Sequence, residues 1–228
     1  MSVRHALVSV AAALCCAVAI PSAHAVVIPP VPAADVVYTF DYAAPASHLG
    51  SGPFGTISLT QDGANVDFSI ELASGFEFVM TGNRNSHSLF AFNASGVSLS
   101  DIVDITDGTA ATYVAYKPAT AQPFGKFSFG IDCSSCSKGA PGATPSPLTF
   151  TVDNAQVSDF DSLSNSGSPV AFFSADVIEL VSGYTGQVGA TGEGVTPLTT
   201  AVPEPAGMSL MLAGLAAVGF IARRRRSA

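Results

Sequence analysis

The sequence predicts an all-β protein, an antiparallel β-sandwich of jelly-roll or Greek-key type, placed between two segments that stay outside the fold. Three observations carry that expectation. Apolar and polar residues alternate with period two in stretch after stretch; glycine-containing turn pairs separate the stretches; and fourteen phenylalanines fall within residues 26–201, where no helical periodicity stands out. That stretch of 176 residues, out of 228 in the chain, is long enough for one domain with a sizeable core.

Residues 1–25 come first. Arg4 and His5 precede an apolar run over residues 6–20, and Ala23-His24-Ala25 closes the segment. Small residues at the third and first positions before a scission point are what signal peptidase accepts, so Ala23 and Ala25 mark a secretory signal peptide cleaved after Ala25. The run is short for a stable anchor helix. Cys15 and Cys16 follow Leu14 directly and read as apolar filler instead of a lipoprotein site.

Strands are expected next. Asn65 to Leu72 sets Val66, Phe68, Ile70 and Leu72 on one face and Asp67, Ser69 and Glu71 on the other. The same alternation runs through Val36, Tyr38, Phe40 and Tyr42; Phe76, Phe78 and Met80; Phe127, Phe129 and Ile131; and Leu148, Phe150 and Val152. Asp62-Gly63, Ser74-Gly75 and Thr81-Gly82-Asn83 supply the turns. Residues 26–193 are thus read as the sandwich and 194–201, rich in threonine with Pro197, as a linker.

The sandwich is acidic. Four basic residues (Arg84, Lys117, Lys126, Lys138) stand against sixteen acidic ones over residues 26–201, a net charge of −12 with histidine neutral. Such a surface repels phosphate backbones and excludes a nucleic-acid partner.

Within the domain, Cys133-Ser134-Ser135-Cys136 is the single CxxC. It follows a strand pattern and precedes Lys138-Gly139-Ala140-Pro141, so a local disulfide is expected and not a redox motif, which needs a helix start. Asp101, Asp104 and Asp107 are weak candidates for a calcium site, since calcium takes several oxygens from one loop, and Asp159 with Asp161 forms a second acidic group. None matches EF-hand spacing. His48 and His87 are the histidines a serine hydrolase would need, but no serine sits in a nucleophile elbow. Glu71, Glu77 and Glu179 lie on strand patterns where two carboxylates could meet for glycoside hydrolysis. The chain has no tryptophan, which leaves Tyr113 and Tyr116 as sugar-stacking substitutes.

The last segment is organised differently. Val202-Pro203-Glu204-Pro205 precedes 17 uncharged residues, 206–222, and Arg223, Arg224, Arg225 and Arg226 follow. As a helix the apolar run is about 25 Å long, the lower limit for a bilayer span, with arginines that snorkel and stay cytoplasmic.

This tripartite tail resembles the PEP-CTERM sorting domain of Gram-negative bacteria that carry an exosortase and an exopolysaccharide system. The resemblance implies that residues 202–228 are a sorting signal with a transmembrane helix over 206–222, that Pro203, Glu204 and Pro205 are recognised by exosortase, and that the four arginines act as a membrane stop. It implies a route as well: signal peptidase first, transient anchoring in the inner membrane with the domain in the periplasm, then release to the cell surface or medium. Segments 127–133 and 147–152 also resemble stretches of other PEP-CTERM precursors and imply no activity.

The sequence therefore points to an exported surface or extracellular-matrix protein associated with exopolysaccharide or biofilm, without enzymatic activity or cofactor. The alternatives are a carbohydrate- or calcium-binding sandwich module and a secreted hydrolase.

Overall fold

The computed structural model describes residues 34–82 and 87–197. The expected signal peptide with Ala23 and Ala25, the sorting residues 202–205, the apolar run 206–222 and Arg223 to Arg226 lie outside the described residues. Among the described residues no helix is long and apolar enough to cross a membrane.

Every strand pairing is antiparallel. One sheet has five strands, β1 (Val36–Phe40), β3 (Gly55–Asp62), β4 (Asn65–Leu72), β7 (Ile102–Thr106) and β12 (Leu148–Val152), in the order β1-β3-β4-β12-β7. A second, seven-stranded sheet runs β2 (Tyr42–Ala43), β15 (Thr185–Ala190), β14 (Phe173–Glu179), β6 (Phe90–Phe92), β11 (Phe129–Cys133), β8 (Tyr113–Tyr116), with β5 (Phe76–Phe78) also on β14. A small third sheet is β13 (Asn165–Ser166), β10 (Gly125–Phe127), β9 (Ala119–Ala121). Among the described residues the helical elements are short 3₁₀ turns.

Alternation decides which side chains meet between the two large sheets. On β4, Val66, Phe68, Ile70 and Leu72 are buried while Asp67 and Glu71 are exposed, as period two requires. Phe68 stacks on Phe150 of the neighbouring strand at 4.4 Å and reaches Phe92 and Phe173 of the facing sheet at 5.8 and 6.2 Å. Phe150 in turn meets Phe90 and Phe92 across the gap at 6.0 and 5.5 Å. These rings tie the sheets into a sandwich, and truncating a buried phenylalanine in such a centre typically costs about 3–5 kcal/mol.

The seven-stranded sheet is covered on its other face as well. Ala91, Tyr116, Ala119, Ala121, Phe124 and Phe127 form a second apolar cluster there under the small sheet. That is why β6 is buried at all three residues, with Phe90 and Phe92 facing the main core and Ala91 the second cluster. The small sheet depends on Gly125, whose φ is +102° and whose hypothetical Cβ would stand 2.2 Å from Asn165 O.

The end of the domain differs from expectation at two residues. Gly194 and Val195, read above as the start of the linker, are part of the fold: Val195 bridges Val37 on the open edge of β1.

Candidate functional site

The polar side chains that matter lie on the outer face of the seven-stranded sheet, where the small sheet leaves a gap. Along β14, Phe173, Ala175 and Val177 enter the main core, so Ser174 and Asp176 project to the opposite side. The paired residue on β15 is Gln187, opposite Asp176. All three are buried, and the chain after β5 returns over Asp176.

That covering segment is fixed by Asp176 itself. Val79 N donates to Asp176 O at 2.9 Å, and both the backbone N–H and the hydroxyl of Thr81 donate to Oδ2, at 2.7 and 2.5 Å. Oδ1 is buried without a hydrogen-bond partner. Burial pushes the Asp176 carboxyl up to about 6; the Thr81 hydrogen bonds oppose the rise and the nearby Asp132 carboxylate adds to it.

Around this carboxyl the polar groups bond one another. Gln187 Nε2 donates to Ser88 O at 3.1 Å and its Oε1 accepts from Ser174 Oγ at 2.8 Å. Tyr116 OH donates to Ser88 Oγ at 2.6 Å, and Ser88 Oγ donates to Thr120 O at 3.1 Å. A cleft of about 410 Å³ opens beside this network, lined by Ser47, Thr81, His87, Gln122, Thr185 and Gln187 among others.

The sequence candidates are dispersed. His87 lines the cleft, with its Nδ1 buried and unpartnered against Gly82, and burial lowers its pKa. No carboxylate orients that ring through Nδ1, and Ser47 in the same cleft spends its hydroxyl proton on Ala44 O at 2.6 Å. His48 is exposed, sits in the left-handed region at φ 59° and rests against Tyr184 at 5.6 Å. Glu71 and Glu77 belong to strands of different sheets, and Glu179 accepts a hydrogen bond from Ser182 in the turn after β14.

The acidic groups are used locally. Asp101 Oδ2 accepts from Ser98 N at 2.8 Å and Asp159 Oδ2 from Gln156 N at 2.8 Å, so each caps its own 3₁₀ turn. Asp107 accepts from Thr109 N and Oγ1 at 2.9 and 2.6 Å and from Tyr113 OH at 2.7 Å. Burial pushes its pKa up, yet these hydrogen bonds outweigh it and hold the carboxyl below its usual value. Asp104 lies on β7 at φ 53°, in a groove with Asp67 and Thr151. Among the described residues no three His, Cys, Asp or Glu side chains gather as a metal site.

The two tyrosines do not form a stacking platform. Tyr113 spends its hydroxyl on Asp107, and Tyr116 is 8% exposed within the second cluster. Cys133 and Cys136 are joined by a disulfide. Beside it, Ser134 N and Oγ donate to Thr112 O at 2.7 and 2.9 Å, while Ser135 Oγ accepts from Thr112 N at 2.9 Å. The bridged loop thereby prolongs the β8 and β11 pairing.

Comparison with protein families matches the PEP-CTERM protein-sorting motif over residues 201–226. The chain carries a PEP-CTERM sorting motif. It marks an exported protein handled by exosortase, sorted from a membrane-anchored state. The match leaves the sandwich unassigned, since it covers only the tail. Neither curated proteins nor solved structures give a match to the chain.

Asp176, Thr81 and Gln187 were not singled out by sequence reasoning. One signal was available: Asp176 is the lone charge between Ala171 and Ile178 in an otherwise strand-forming run.

Proposed function

We propose that this PEP-CTERM protein is a non-enzymatic surface or extracellular-matrix component of a Gram-negative bacterium, associated with exopolysaccharide or biofilm. Signal peptidase removes residues 1–25. The run 206–222 then anchors the chain in the inner membrane with the acidic sandwich in the periplasm, and exosortase acts at Pro203-Glu204-Pro205 before the domain reaches the surface.

The observation that carries this reading is the sorting motif over residues 201–226, in which the Pro-Glu-Pro element directly precedes the apolar run and the arginines. Two prolines remove hydrogen-bond donors and resist helix, so an extended, accessible substrate fits the element. Support for a structural role comes from the polar groups beside the cleft, which are mostly spent on hydrogen bonds within the domain.

Replacing Pro203, Glu204 and Pro205 by alanine tests the reading in the host. The variant should stay full-length in the inner-membrane fraction while wild type is shortened and leaves it. Equal maturation of the two chains contradicts the proposal.

One observation favours a second reading, a carbohydrate-binding module: a cleft of about 410 Å³ is lined by the exposed Gln122, whose amide stands beside the internally bonded Ser47, Thr81 and Gln187. Calorimetric titration with the host's own exopolysaccharide fragments separates the two, since this reading requires heat of binding that Gln122→Ala removes.

A further inference from the structure

The sorting motif is tethered at a defined place. After β15 ends at Ala190, the chain crosses back to the other sheet and is secured there. Thr191 donates its N–H and hydroxyl to Asp41 at 2.8 and 2.9 Å. Val37 and Val195 then exchange both backbone hydrogen bonds, each 2.8 Å. Between them Gly194 lies flat on β1: a Cβ there would stand 2.3 Å from Val36 Cγ1 and 2.7 Å from the Tyr38 ring, so glycine alone fits.

Eight residue steps separate Val195 from Pro203, and a fully extended chain covers at most about 28 Å over that count. As a coil the same length averages roughly 16 Å. Were Thr191 the last fixed point, twelve steps would reach about 42 Å.

We propose that the clasp between Val37 and Val195 sets the stand-off between the sandwich and the sorting motif, so that exosortase cuts with the β1 edge held close to the membrane face. This rests on the exosortase reading above and adds to it a domain residue pair that controls processing. The clasp makes tether length, and not the sequence of residues 198–201, the quantity the enzyme meets.

The test is made on the full-length chain in its exosortase-bearing host, reading the cut fraction by immunoblot. Deleting residues 198–201 leaves four steps, about 14 Å. That is comparable to the half-thickness of the layered domain, whose sheets pack about 10 Å apart, and cutting should fall at least tenfold. Putting Ser-Gly-Ser-Gly in place of 198–201 should restore it. So should opening the clasp in the deleted chain with Gly194→Val and Val195→Pro, because the tether then starts at Thr191 and again has eight steps. Gly194→Ala is a milder opening variant with the same expectation, and a protease-resistant core of unchanged size verifies that the domain still folds.

A deletion cut like wild type overturns the proposal. So does a deletion that Ser-Gly-Ser-Gly rescues while folded clasp-opening variants do not. The alanine triple variant at Pro203, Glu204 and Pro205 serves as reference: if it is processed like wild type, the exosortase reading itself fails, whereas if it is blocked and the deletion is not, only the clasp fails.

Discussion

Thr81 grips Asp176 Oδ2 with both its backbone N–H and its hydroxyl, and leaves Oδ1 of the same carboxyl buried with no partner. A half-satisfied buried carboxylate is costly when charged, since two hydrogen bonds do not replace the lost hydration.

The pH dependence follows from this. The Asp176 carboxyl rises to about 6 in the fold, against 3.8 ordinarily. Below 3.8 both states are protonated and the contribution is fully present. As pH rises toward 6 the unfolded chain loses its proton first, so stability falls, by about 3 kcal/mol in total from this group. Urea denaturation of the mature protein between pH 4 and 7.5 should show that decline. Asp176→Asn, which keeps an acceptor for Thr81, should flatten it and be the more stable form at pH 7.5. An unchanged slope in the variant contradicts the assignment.

Asp107 works in the opposite direction and in a lower window. Its carboxyl is held below the ordinary value, so it contributes stability above that value which is lost as pH falls through the depressed one. Asp107→Ala leaves the Thr109 and Tyr113 donors without their acceptor and should cost about 1–3 kcal/mol; Tyr113→Phe should cost about 1. The double variant should cost less than the sum of the singles, because the 2.7 Å bond between them is counted in each. Strict additivity in thermal melts would mean that the bond contributes nothing.

The Cys133 to Cys136 bridge closes a ring of only four residues, and loop entropy assigns it about 2 kcal/mol. Cys133→Ser with Cys136→Ser should therefore fold, with a lowered urea midpoint. The wild-type protein should show no free thiol until reduced. Complete loss of folding in the double serine variant would contradict a local role.

Strands with one wet face were legible in the sequence, because alternation records the boundary between core and solvent. Asn65 to Leu72 coincides with β4 and Leu148 to Val152 with β12. The alternating set Phe127, Phe129 and Ile131 divides between two sheets: β10 ends at Phe127, β11 starts at Phe129, and Asn93 Oδ1 accepts from both N and Oγ of Ser128 in between. Nothing local marks that break. The buried polar face was illegible for a related reason. Asp176, Gln187 and Ser174 look like the wet face of a hairpin, yet they are buried, with Thr81 returning to bond Asp176 and Ser88 to bond Gln187. Tyr113 and Tyr116 likewise read as exposed rings until Asp107 and Ser88 are found beside their hydroxyls. The disulfide needed only spacing, and the sorting tail only order, which is why both were read directly.

The intact mass of the protein recovered from its host tests the central claim most directly. Sorting by signal peptidase and exosortase predicts one species that lacks residues 1–25 and the segment beyond the Pro203-Glu204-Pro205 element, with both cysteines oxidised. A mass that still includes residues 206–228 in the released protein would contradict it.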